Sequence, residues 1–204
     1  MEGWLLQKRP VCAQSDVSFF ELAEQRYGQG LVAHVRQRTV GPVSFENTHP
    51  FRCGRWIFTH NGTIDDIAYL RSRLSAACLA EVRGSTDSEL LFAFLLTRLD
   101  SAGINDASPW SATDLVIAGA VDELARRSCF GSYNNFVLCD GATLYAHCRG
   151  RSMFLLELGD VGRGTIALVA SEAITDEPWQ PMKEGSLVRC RRADSTRWHA
   201  LRDS

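Results

Sequence analysis

The sequence predicts an α+β fold with helices layered on antiparallel sheets. Three observations carry that expectation. Apolar residues recur at helical spacing through the middle of the chain, strand-like runs fill its last third, and tight-turn signals join those runs. The 204 residues, 45% hydrophobic and 23% charged, suit one globular domain over 1–204 that can bury a core without staples.

In chain order, Phe19, Phe20, Leu22 and Ala23 supply the apolar spacing of a short helix from Val17 to Gln25. Leu31 to Arg36 and Trp56 to Phe58 read as strands. Gly41-Pro42, Asn47 and Pro50 break any regular element between them, so 39–54 is expected to be an ordered loop. Ile64, Ile67, Leu70 and Leu74 mark one face of a helix. Thr86-Asp87-Ser88-Glu89 has capping-box spacing, and Leu91, Phe94, Leu95 and Leu99 continue it as a second helix. A third runs from Thr113 to Arg127, with Val116, Ala120, Val121 and Leu124 inward, after a loop at 101–112. Asn135 to Cys139 and Thr143 to Cys148 flank Asp140-Gly141, a strong hairpin signal. Met153 to Leu158 and Thr165 to Ala170 form another pair. The glycine-rich loop 159–164 between them joins two strands and does not match G-x-G-x-x-G, so it is no phosphate cradle. Ser186 to Arg191 is the last strand.

Composition excludes several functions. A net charge of −2 argues against nucleic acid as a partner, since phosphate binding needs a basic face. Arg189, Arg191, Arg192 and Arg197 read as a solvated strand face. Apolar runs such as Leu90 to Leu96 are too short to span a bilayer, and Met1-Glu2-Gly3-Trp4 lacks a secretory n-region, so a cytoplasmic protein is expected. Seven scattered cysteines, never spaced C-x-x-C, suggest reduced, mostly buried thiols. His34, His49 and His60 show no i,i+4 pairing, so neither metal nor cofactor is expected.

Four polar features could carry chemistry: His34 with Arg36 two apart on a strand, Asn47 to Phe51 in the ordered loop, His60 to Thr63 at a strand end with free N–H groups, and Asp87 in the first turn of a helix. Each alone has a plain structural explanation. Asp87 suits a helix dipole, and Asn61-Gly62 suits a turn.

Together they are specific. Ala33-His34-Val35-Arg36, Gly41-Pro42-Val43-Ser44, Asn47-Thr48-His49-Pro50-Phe51, His60-Asn61-Gly62-Thr63-Ile64 and Thr86-Asp87-Ser88-Glu89 occur in that order. The chain resembles the short, single-domain branch of the class II glutamine amidotransferases, which are N-terminal-nucleophile (Ntn) hydrolases. Leu144-Tyr145-Ala146, Val169-Ala170-Ser171-Glu172 and Asp176-Glu177-Pro178-Trp179 extend the likeness over nearly the whole chain. The resemblance implies a four-layer αββα sandwich and attack on a γ-glutamyl amide through a thioester on an N-terminal cysteine. By similarity, Arg36 holds the substrate α-carboxylate and Asp87 its α-ammonium. Asn61, by its side-chain N–H, and Gly62, by its backbone N–H, form the oxyanion hole. The substrate expected is glutamine or a γ-glutamyl compound, with ammonia passing to water or to a separate acceptor-domain protein. Members of this branch include hydrolases of γ-glutamyl intermediates, for example in ergothioneine synthesis, so hydrolysis is as open as transfer.

One family feature is missing. Residue 2 is Glu, and Cys12 is not terminal. Glu2-Gly3-Trp4 resembles an Asp-Gly-Trp-Gly segment that lies downstream of the nucleophile in the family, with Lys8-Arg9-Pro10 and Ser15-Asp16-Val17 running on as the family's interior does. The expectation is therefore a domain without its nucleophile segment, inactive as it stands. The rival expectations are a non-catalytic binder of γ-glutamyl amino acids and an inert remnant.

Overall fold

The computed structural model describes residues 4–24, 30–36, 41–160, 164–191 and 199–200. Among the described residues, five α-helices and nine strands form an α+β sandwich. The larger sheet contains β1 (Phe51–Cys53), β2 (Trp56–Ile64), β3 (Phe130–Cys139), β4 (Thr143–His147), β8 (Leu187–Arg191) and β9 (His199–Ala200), in the order β1-β2-β3-β4-β8-β9. The smaller sheet contains β5 (Phe154–Asp160), β6 (Gly164–Ala170) and β7 (Gln180–Pro181), in the order β6-β5-β7. Every pairing in both sheets is antiparallel.

The elements follow local rules. Asp140 accepts the N–H groups of Ala142 and Thr143 at 2.9 and 2.7 Å, and Gly141 takes a φ of +90°, so Asp-Gly closes the β3–β4 hairpin. Helix α4 (Asp87–Ser101) starts at Thr86, whose hydroxyl accepts the Glu89 N–H at 3.3 Å. The Glu89 carboxylate does not return to Thr86. It accepts the N–H groups of Arg83 and Gly84 at 2.9 and 2.6 Å, tying down the approach to the helix. Helix α5 (Trp110–Arg126) begins a turn before the expected Thr113, because Pro109 can precede a helix without losing a hydrogen bond. Helix α1 runs from Val17 to Glu24; Gln25, its expected end, lies outside the described residues.

Helix α4 is the hub. Twelve of its fifteen residues are buried, as a helix must be when it lies between a sheet and other helices. One face meets β2, where Phe92 stacks on Phe58 at 5.2 Å between ring centroids. The others meet α2 (Ile67–Ser72), α3 (Ala76–Glu81) and α5. On the opposite face of the larger sheet, Val137, Leu144 and Ala146 pack with Met153, Val169 and Met182 and join the two sheets. Their alternation with Phe136, Leu138 and Tyr145, which face the helices, is the two-residue period of strands buried on both sides.

Three expectations need correction. The helix through Ile64, Ile67, Leu70 and Leu74 is two short helices, α2 and α3: Ile64 ends a strand, and Ser75 caps α3 by accepting the Cys78 N–H at 3.1 Å. The 39–54 loop is regular from Phe51 onward, where β1 pairs with β2, and residues 39 and 40 lie outside the described residues. Residues 31–36 are not a strand, because among the described residues they pair with no ladder. Their exposure still alternates, with His34 and Arg36 half-buried and Ala33 and Val35 exposed, so the two polar residues do share a side.

Candidate active site

The site is organised by an incompletely paired strand. Strand β1 covers β2 only at Trp56–Phe58, so among the described residues the β2 edge beyond Phe58 has no neighbouring strand. His60 to Thr63 therefore lie inside β2 rather than at its end. Their free backbone groups come from the short β1, not from strand termination.

The direction of those groups follows from the ladder. Gly62 pairs with Asn134, and Asn134 donates its N–H away from β2, to the Arg149 carbonyl at 2.8 Å. Gly62–Asn134 is therefore a non-hydrogen-bonded pair, and the Gly62 N–H projects toward the bare edge. The same parity aims the His60 carbonyl there, where it accepts a hydrogen bond from the His34 ring. Just beyond a register shift, the Ile64 N–H also points that way and donates to Asp87 Oδ2 at 2.9 Å.

Asp87 thus reaches the edge from α4. Burial pushes its carboxyl up, opposed by the N–H groups of Ile64 and Ser88 and by the charge of Arg36. The charge of Arg36 acts on Asp87, and the Arg36 guanidinium lies 3.5 Å from the Pro42 carbonyl. Gly62 and Asp87 therefore lie along one edge, with that charge acting on Asp87. Asn61 is exposed and points to the opposite face of β2 from His60 and Gly62. Its cross-strand neighbour Asn135 is fully engaged, donating to the Arg151 and Ser152 carbonyls and accepting the Arg149 N–H.

Only glycine fits at 62. A Cβ there would lie 2.5 Å from His60 Nε2, 2.7 Å from the Tyr133 carbonyl oxygen and 2.8 Å from the Asn134 Cα.

Three residues within the motifs contribute without having been given a role by the sequence. Asn47 bridges the 41–50 loop to the approach of α4, accepting the Ser85 N–H at 2.8 Å and donating to the Pro42 carbonyl at 3.1 Å. Ser88 lies 2.9 Å from His60 Nδ1. His49 is buried between His34, at 4.2 Å between ring centroids, and Phe51, at 4.6 Å. Burial lowers these imidazoles to about 4 for His34, about 2 for His49 and about 3 for His60, so all three are neutral near pH 7. The motif order held Asn47 and His49, but nothing in it said what they would touch. Among the described residues, no group of three or more His, Cys, Asp or Glu side chains is placed to hold a metal ion. No described helix is long and apolar enough to cross a membrane. A separate cavity of about 400 Å³, lined by Lys8, Phe45, Phe51, Cys53, Cys78 and Glu89 among others, includes none of the four predicted site residues.

Comparison with known sequences settles the family. The profile of the class II glutamine amidotransferases matches residues 12–159. The chain belongs to that family. This amidotransferase chain is 28% identical over 179 residues to YafJ of Escherichia coli K12, named as a glutamine amidotransferase, covering 76% of this chain and 67% of YafJ. It is 29% identical over 184 residues to the gamma-glutamyl-hercynylcysteine sulfoxide hydrolase of Mycobacterium tuberculosis H37Rv, covering 89% and 67%. It spans only 30–48% of three other curated relatives. A class-II domain protein of Silicibacter pomeroyi superposes with a TM-score of 0.65 over 95% of this chain and 84% of its own; at 21% identity this likeness shows the fold. The α+β sandwich is thus the fold of a class II glutamine amidotransferase domain.

Proposed function

We propose that this amidotransferase domain binds glutamine or a γ-glutamyl compound along the bare edge of β2, and that its buried thiols do not turn it over. The carrying observation is an anion, Asp87, and an outward N–H, Gly62, on that edge, with the charge of a cation, Arg36, acting on Asp87. Opposite charges on adjacent supports suit the carboxylate and ammonium of an amino acid, and fixing both ends leaves the side-chain amide free to reach the donors. Gly62 N–H with the Asn61 side chain would stabilise the tetrahedral oxyanion, an interaction whose loss typically costs about 3–4 kcal/mol of transition-state stabilisation.

The lack of turnover is inferred from the thiols. A nucleophilic thiol must be accessible and readily ionised. Cys53, Cys129, Cys139, Cys148 and Cys190 are all pushed up, burial being the first cause, the reverse of an activated thiol. The relatives favour γ-glutamyl hydrolysis as readily as transfer of ammonia to a separate acceptor protein.

Titration calorimetry with L-glutamine, paired with an ammonia-release assay on the 204-residue chain, tests both halves. Binding heat that disappears in Arg36→Ala, with no ammonia released, is expected. Absence of heat in the wild type would overturn the binding half, and ammonia release would overturn the other.

A further inference from the structure

His60 belongs to none of the roles assigned above, yet it touches every element that carries one. Its Nδ1 lies 2.9 Å from the Ser88 hydroxyl, one residue from Asp87 in the first turn of α4. Its carbonyl accepts the hydrogen bond from His34, two residues from Arg36. Its ring lies under Gly62, so near that a Cβ on residue 62 would meet Nε2 at 2.5 Å. The side chain is buried, stacks toward Phe58 at 6.2 Å, and leaves Nε2 with no partner among the described residues. A buried imidazole with one nitrogen unpaired costs stability, and an apolar side chain of similar size would not carry that cost.

We propose that His60 is a positioning residue that sets the spacing between Asp87, Arg36 and Gly62. The proposal rests on the glutamyl reading of the site given above. The reasoning is geometric. Residues 30–36 have no ladder partner among the described residues, so the His34 contact to the His60 carbonyl is an anchor of the Arg36 segment to β2. The first turn of α4 reaches β2 at this level through two polar contacts, Asp87 to the Ile64 N–H and Ser88 to His60. With both contacts made, the Asp87 carboxylate keeps a fixed offset from Gly62. With the Ser88 contact removed, the helix end is free to slide relative to the strand, and a misplacement of about 1 Å is enough to cost a bound, oriented ligand much of its advantage.

The test uses His60→Leu, His60→Asn and Ser88→Ala in the full chain. Leucine keeps the volume and deletes both ring nitrogens, asparagine keeps a polar atom at the position of Nδ1, and the serine variant removes the same bond from the helix side. The first readout is hydrogen exchange of the Ile64 amide, which needs no ligand. At least tenfold faster exchange in His60→Leu and Ser88→Ala, with near wild-type exchange in His60→Asn, is expected. Exchange within twofold of wild type in both Leu and Ala variants overturns the proposal. The second readout is L-glutamine affinity against thermal midpoint. His60→Leu is expected to lose at least tenfold in affinity with its midpoint unchanged or raised, and His60→Asn to stay within threefold. Wild-type affinity in His60→Leu also overturns the proposal. If the wild type itself binds no glutamine, the glutamyl reading fails, and the Ile64 exchange still decides the role of His60.

Discussion

At the scale of single residues, Asn61 and Gly62 are neighbours with opposite tolerances. Gly62 has backbone and ring atoms within 3 Å of where a Cβ would be, so Gly62→Ala must push β3 or the His60 ring aside. Overpacking of this kind costs about 1–3 kcal/mol, and chemical denaturation should show a loss in that range. Asn61 is exposed. Asn61→Ala should change stability by less than about 0.5 kcal/mol. If its role is confined to the oxyanion, glutamine affinity should stay within twofold, and a large loss of affinity would place Asn61 in ground-state binding instead. The sequence pointed to both residues through the His60–Ile64 motif, but only the β2–β3 register shows which way each one faces.

At the scale of elements, the approach to α4 is held by side chains from a distance. Glu89 satisfies two backbone N–H groups at once, and Asn47 joins two loops 38 residues apart in the chain. Glu89→Ala should strand both donors, at about 1–3 kcal/mol each where water cannot reach them. The denaturation midpoint should fall accordingly, and an unchanged midpoint would mean that water replaces the carboxylate without cost. The interface of α5 with β8 has a comparable element: Arg189, expected on a solvated strand face, is instead buried in an ion pair with Asp114, its guanidinium 3.8 Å over the Trp110 ring. Asp114→Ala leaves that cation uncompensated, and removing one partner of a buried pair typically costs about 3–5 kcal/mol. The Thr86 cap was legible because its donor and acceptor lie within four residues. The true target of Glu89, the Asn47 bridge and the Asp114–Arg189 pair were not, since each depends on how distant segments are brought together.

At the scale of the whole molecule, two properties follow from burial. His34, His49, His60 and His147 are held neutral by burial, at about 4, about 2, about 3 and about 4, whereas an unfolded chain protonates its histidines near 6.5. Between about pH 6.5 and about pH 4 the unfolded chain therefore binds more protons, and stability falls as pH falls, by about 1.4 kcal/mol per pH unit for each such proton. The raised Asp87 carboxyl acts in the opposite sense, because the folded chain keeps that proton longer. Thermal midpoints from pH 8 to 4.5 should be flat above 7 and drop steeply below 6.5. A midpoint independent of pH over that range would show that these imidazoles are not buried as described. Apolar surface is also unevenly spread. Eight large hydrophobics between Leu5 and Phe45 are exposed, among them Leu5, Val17, Phe20, Leu31 and Val35, and the β2 edge beside this segment is bare. Such surfaces and edges promote association, so the purified chain should self-associate in light scattering. A monomer with one cooperative thermal transition would contradict this.

Periodicity, turn chemistry and motif order specified the helices α1, α4 and α5, the two late hairpins and the family, because those signals act between residues close in the chain. The tertiary structure alone decided that residues 31–36 join no ladder among the described residues, that β1 stops at Cys53 and leaves the β2 edge beyond Phe58 without a described neighbour, and that the His60 ring lies beneath Gly62 beside Ser88. Those outcomes depend on which strand finds a partner and how far the pairing runs. That is a competition between segments far apart in the chain, and no local pattern encodes its result.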